Sequence, residues 1–174
     1  MSLKELTADK HREAETTQFM KAVFAKTLPR DHWVDFTYQK TLFYSTIEAA
    51  ATQLGLMSDI EPIRRSALLA QDYNEMAQGT RDYKPAVLAY HDYIQTLTDP
   101  VQVMAHLYTW HMGDLFGGQM IKKLVDGPHS SLDFLDPPVL IAAMRRKLSD
   151  DMAEEVNIAF DWAIQILKEY EYDH

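Results

Sequence analysis

Residues 113–118 read Gly-Asp-Leu-Phe-Gly-Gly, so half of the chain's six glycines fall within six positions. Each glycine in a helix interior costs about 1 kcal/mol relative to alanine. Three together make a helix pliable and prone to kink. Gly113 and Gly117 are four residues apart and share one helical face that carries no side chain. Such a face serves either the close approach of another helix or a flat ligand lying against bare backbone. Asp114 beside it supplies an acid that can order water near such a ligand.

The chain has seven histidines and no cysteine. The missing thiols exclude disulfides, iron–sulfur ligation, thiolate ligation of a metal and a cysteine nucleophile. His32 opens a helix, and His91 lies among polar neighbours. His129 sits in a Pro/Ser-rich loop and His174 is terminal, so both read as solvated. His106 precedes Gly113 by seven residues and shares the glycine stripe. His11 has Ala14 and Glu15 on its own face. Spacing alone leaves His11 and His106 level as metal ligands. A di-iron carboxylate bundle needs two Glu-x-x-His motifs on facing helices, and only Glu171-Tyr-Asp-His174 fits.

These residues have to be positioned by helices. Ser2 with Glu5 is a capping-box pattern that opens a first helix running to Lys26. Asp31 can cap a second helix, 31–54, which Gly55 stops. Pro62 suits the first turn of a third, 63–77, and Pro85 opens a fourth, 85–97. Asp99-Pro100 starts a fifth that reaches Val125, with Asp126-Gly127-Pro128 as its stop. A sixth follows Pro137-Pro138, 139–148. Ser149-Asp150-Asp151 breaks the chain before a last helix, whose apolar face is Val156, Ala159, Phe160, Ala163, Ile164 and Leu167. Strand-like alternation is scarce and no repeat is visible. The expectation is one all-α domain over 1–174.

At 174 residues the chain is long enough for a real core. A net charge of −9 argues against nucleic acid as a partner. No secretory signal pattern opens the chain. The longest apolar run, 139–144, is far too short to span a bilayer. A soluble, cytoplasmic protein without a membrane partner is expected.

The segment Tyr108-Thr-Trp-His-Met-Gly-Asp-Leu-Phe-Gly-Gly-Gln-Met-Ile-Lys-Lys-Leu124 resembles the distal-helix signature of haem oxygenases. Leu3-Lys4-Glu5 through His11-Arg-Glu-Ala-Glu15 and Phe19-Met20 resembles the proximal helix of the same family. The order of the remaining helices agrees, so the likeness covers nearly the whole chain. It implies an enzyme that opens the ring of haem b with O2 and electrons, to give biliverdin, CO and Fe2+, usually by attack at the α-meso carbon. It places the axial iron ligand at His11 and a supporting acid at Glu15, because a ligating imidazole usually has its other nitrogen held. Gly113, Gly117 and Gly118 become the distal backbone. Asp114, with Tyr44, becomes the organiser of distal water that separates ring opening from peroxidase-like behaviour. Lys4, Tyr108 and Arg145 become partners of the haem propionates, the arginine fork suiting a carboxylate.

The likeness is incomplete. Trp110 stands where many members have arginine, His111 where tyrosine is common, Phe116 in place of a serine, and Ala163 where some have asparagine. These changes thin the polar network and bear on proton delivery and α selectivity. The implied partners are reduced ferredoxin, or a similar acidic donor, and a reductase that consumes the bilin. Lys4, Lys10, Arg12, Lys122, Lys123, Arg145, Arg146 and Lys147 offer a basic patch to steer the donor. A haem carrier or sensor without turnover is the alternative. It would keep His11 and the propionate anchors but would not need Asp114.

Overall fold

A computed structural model describes residues 1–172, so His174, which completes the Glu171-Tyr-Asp-His174 motif, lies outside them. Helices account for the regular structure of the described residues, as the 3.6-residue periodicity predicts. The first expected helix is three: α1 (Leu3–Leu6), α2 (Ala8–Glu15) and α3 (Gln18–Phe24). Ser2 caps α1 by accepting the Glu5 amide. The breaks fall at threonines. Thr7 returns its hydroxyl to the Leu3 carbonyl, and Thr17 caps α3 by accepting from the Met20 amide. Threonine hydroxyls compete with the helical ladder in this way, and neither break is visible in the apolar pattern.

The long α4 (Arg30–Gln53) ends at Gly55, whose φ of +73° takes the left-handed conformation that a glycine stop requires. Its start differs from expectation. Pro29 holds the cap position, and Asp31 instead pairs with Arg81 at 3.0 Å. The third expected helix also starts late. A 3-10 turn, Glu61–Ile63, holds Pro62 and precedes α5 (Ser66–Met76). Next come α6 (Pro85–Gln95) and α7 (Pro100–His106), and the Asp99 side chain caps α7 by accepting from the Val101 amide.

The segment after α7 departs most from the sequence reading. The chain widens into a π-helical turn, Leu107–Met112, and α8 (Gly113–Leu124) then runs regularly through all three glycines. The distortion expected at the glycines lies one turn ahead of them. π turns of this kind recur at functional sites, because the extra residue re-aims side chains. Helix α9 (Pro137–Arg145), a 3-10 turn (Asp150–Met152) and α10 (Ala153–Lys168) complete the fold.

The core is one apolar cluster in which α4 packs on α5, α6 and α7, while α10 packs on α2, α3, α6 and α7. The buried face of α4 carries Trp33, Phe36, Lys40, Phe43, Tyr44, Ile47 and Ala51, a helical stripe with one lysine in it.

Candidate functional site

A cavity of about 850 Å³ opens between the amino-terminal helices and α8, within the size range of small-molecule and cofactor sites. His11 and Glu15 line one wall, and Gly113, Asp114, Gly117 and Gly118 line the other. Phe19, Phe36, Met112, Leu132 and Phe160 supply apolar surface, and Ala163 faces the same space. The structure therefore brings together both segments that the sequence singled out.

On the first wall, His11 Nε2 lies 2.9 Å from Glu15 Oε1, and the two side chains are 60% and 46% exposed. The pairing follows from helical geometry, which sets residues four apart side by side. The imidazole is stacked on Phe160 of α10, centroids 5.3 Å apart, which limits its orientation. One ring nitrogen is thus held by a carboxylate, and Nδ1 has no protein partner among the described residues.

His106 has the opposite environment. It is fully buried, with Nδ1 2.5 Å from the Tyr90 hydroxyl and Nε2 2.8 Å from Glu155 Oε2. Tyr93 donates to the same Glu155 oxygen at 2.6 Å, and the Trp110 indole N–H donates to Tyr90 at 3.0 Å. Burial raises the Glu155 carboxyl, but hydrogen bonds from His106 and Tyr93 outweigh it and hold the group below its ordinary value. Both nitrogens of His106 are consumed inside the core, so it is not a ligand candidate. The tie between spacing candidates is broken by burial. His129 also departs from expectation. It is half-buried, and its Nε2 lies 2.5 Å from the Val125 carbonyl that accepts from it.

On the second wall, a Cβ built on Gly113 or Gly117 would meet nothing within 4 Å. Close helix packing therefore does not explain these two glycines, and the space beside them belongs to the cavity. Gly118 differs, because a Cβ there would come 3.2 Å from Leu132 Cδ2. Its bareness at least partly serves packing against the 130–132 turn.

Asp114 is held from α4. The Tyr44 hydroxyl donates to Asp114 Oδ2 at 2.6 Å, with the Trp110 carbonyl at 3.3 Å. Tyr44 is fully buried, and burial, followed by the adjacent Asp114 charge, raises its pKa well above the ordinary value. It stays protonated at any working pH and acts as a fixed donor. Lys40 Nζ lies 3.6 Å from the same Asp114 oxygen, its side chain only 8% exposed. Behind this group His111 Nε2 meets Glu48 Oε2 at 2.9 Å, and Glu48 also accepts from the Arg65 and Ser66 amides and the Ser66 hydroxyl. The sequence reading missed Lys40, Glu48 and Arg65. For Lys40 a signal existed, since it interrupts the apolar stripe of α4.

Lys4, Tyr108 and Arg145 all line the cavity. Lys4 sits on α1, beyond the Thr7 break, rather than on the helix of His11. The Arg145 guanidinium lies 5.7 Å from the Phe116 ring centroid. Neither Lys4 nor Arg145 has a carboxylate partner among the described residues. Elsewhere in the expected basic patch Lys10 pairs with Asp161, Arg12 with Asp9, Lys122 with Asp133 and Lys147 with Asp59. No helix among the described residues is long and apolar enough to cross a membrane.

The family model described as Heme oxygenase matches residues 1–155. The chain is 29% identical over 167 residues to human Heme oxygenase 1, the match covering 84% of this chain and 57% of that protein. Mouse Heme oxygenase 2 is 26% identical over 203 residues, covering 96% of this chain and 64% of that protein. The chain thus spans less than two thirds of the length of these relatives. The solved structure of heme oxygenase-1 from Synechocystis sp. PCC6803 in complex with heme superposes with a TM-score of 0.83 at 21% identity, covering 98% of this chain and 91% of that one. At that identity the likeness establishes the all-α fold.

Proposed function

Because this chain belongs to the haem oxygenase family, we propose that it binds haem as a substrate and opens the ring oxidatively to a bilin. The observation that carries this reading is the pair of unlike walls around one cavity: an imidazole braced by a carboxylate, facing a helix with no side chain at Gly113 and Gly117. The residues present fit haem. His11 is an accessible nitrogen donor. The open space at the two glycines would admit a flat ring. Lys4 and Arg145, free of carboxylate partners, suit its propionates. Tyr108 joins them as a propionate partner. When bound, haem supplies the iron that activates O2 and the ring carbon that is oxidised.

The chain's own residues divide the rest of the work. Glu15 holds the His11 ring and raises its strength as an electron donor. Phe160 fixes the plane of that ring. Asp114 has Oδ2 occupied by Tyr44, which leaves Oδ1 without a protein partner to order water in the cavity. Tyr44 does not itself supply protons, because burial keeps its hydroxyl intact. Protons reach the cavity through water that Asp114 aligns. The bare faces of Gly113 and Gly117, with Gly118 continuing that wall, would leave room for oxygen along one side of a bound ring, the α-meso side by family likeness.

Trp110 does not replace the arginine common at its position in kind. Its indole N–H is spent on Tyr90 in the core. The products implied are biliverdin, CO and Fe2+, and the donor is reduced ferredoxin or a similar acidic protein in the cytoplasm. Four of the eight cations expected to attract that donor are already paired with acids. With Lys4 and Arg145 given to the propionates, Lys123 and Arg146 remain for the donor. A reductase would then consume the bilin.

The test is haem titration of the pure protein, followed by ferredoxin, its reductase and air. Loss of the Soret band with growth of bilin absorption and CO release is expected. A stable oxygenated complex would identify a carrier or sensor instead, and no haem uptake would overturn the reading altogether.

A further inference from the structure

We propose that Lys40 is a positioning residue for Asp114: its buried ammonium secures Oδ2, so that Oδ1 is the oxygen offered to cavity water. The inference rests on the reading of the cavity as a site of haem opening, and it concerns a residue outside the quoted family motifs. Lys40 is 6% exposed and lies on the apolar stripe of α4, where a charge has to be compensated. Compensation comes from few groups. The Phe36 and Tyr44 ring centroids lie 5.4 Å and 4.9 Å from Nζ, within the range of cation–π attraction. Asp114 is the one carboxylate that pairs with it among the described residues, at 3.6 Å. Glu48, the other buried acid of this region, is engaged by His111, Ser66 and the Arg65 amide.

Lys40 and Tyr44 are one turn apart on α4 and converge on a single oxygen of α8. A lone hydrogen bond from Tyr44 would let the carboxylate turn about its Cβ–Cγ bond. A positive charge beside that donor opposes the rotation. At 3.6 Å the contact is an ion pair rather than a direct hydrogen bond, so its role is orientation and charge balance. Lys40 also lines the cavity, so its removal would let water reach Oδ2. Water ordered on the wrong oxygen would deliver protons at the wrong place. The expected consequence is leakage of reducing equivalents to hydrogen peroxide.

Two measurements test this. In the free protein, 15N-lysine NMR is expected to show one ammonium signal protected from solvent exchange, absent in Lys40→Met and shifted in Asp114→Asn. An ammonium signal indifferent to Asp114→Asn overturns the proposal without any haem present. In the loaded protein, Lys40→Met is expected to lower bilin formed per electron by about tenfold. Peroxide is expected to rise in step while haem affinity holds, and Lys40→Arg is expected to restore most of the yield. A folded, haem-binding Lys40→Met with an unchanged bilin-to-peroxide ratio sinks it. If Lys40→Met does not fold, or the parent protein makes no bilin, the NMR arm on the parent and Asp114→Asn decides alone.

Discussion

His11 meets Glu15 across one turn of α2, whereas Asp114 is met by Tyr44 and Lys40 from a different helix. The first pair is open to solvent, at 60% and 46% exposure, while Lys40 and Asp114 are 8% and 18% exposed and Tyr44 is fully buried. The difference suits the two tasks proposed for them. A metal bond is strong and directional and tolerates water around its ligand. Placing protons requires that water be counted, which only a buried, multiply tied carboxylate can do. The first wall is a local structure and the second is a tertiary one.

The comparison breaks most completely at His11. His11→Ala is expected to abolish nitrogen ligation of haem iron and bilin formation, read by the iron spectrum and by turnover, with little change in Tm. A variant matching the parent in both would remove His11 from the first wall. Next in size is Asp114→Ala, expected to lower bilin yield by about a hundredfold and to divert the protein toward peroxidase-like oxidation. Retained bilin yield would show that the second wall does not handle protons.

Gly117→Ala sharpens the contrast further. The new methyl has empty space around it, so the free protein is expected to gain up to about 1 kcal/mol of stability. Haem affinity is expected to fall, as spectroscopic titration would reveal. Equal affinity would mean that no ligand lies against that face. The same change at Gly118 presses on Leu132 at 3.2 Å and is expected to give no such gain.

Acid stability is a smaller effect and belongs to the buried side alone. Burial raises the Glu48 carboxyl, but hydrogen bonds from His111, the Arg65 amide and Ser66 outweigh it and hold the group below its ordinary 4.5. A carboxyl lowered by folding adds stability above its unfolded value and loses it as pH falls through the folded one. Glu48→Gln is therefore expected to flatten the loss of Tm below about pH 4.5. The smallest effect is that of Glu15→Gln on stability. An exposed pair contributes less than about 1 kcal/mol, so Tm is expected to hold while the haem iron spectrum shifts. A large fall in Tm would contradict the picture of an open, local wall.

Much of this was legible in residue order. Helix periodicity and the proline and glycine signals give α4, α6 and α10 to within a few residues, together with the start of α7 and the end of α8. The breaks at Thr7 and Thr17 are not legible, because a hydroxyl turned back on its own backbone leaves no trace in hydrophobic patterning. The π turn at Leu107–Met112 is equally silent, since a widened turn needs no special residue type to mark it. Gly113 and Gly117 drew attention correctly, yet spacing could not separate a packing face from an open one. His11 and His106 tied for the same reason.

The sequence by itself determined the helical class, the His11–Glu15 pair and the bare face of α8, because each depends on contacts within a few residues. Only the tertiary structure decided that His106 is spent inside the core, that Gly118 packs on Leu132, and that Tyr44 and Lys40 converge on Asp114. Those outcomes depend on which helix faces are brought together and on what water is shut out between them, and neither is encoded in spacing along one chain.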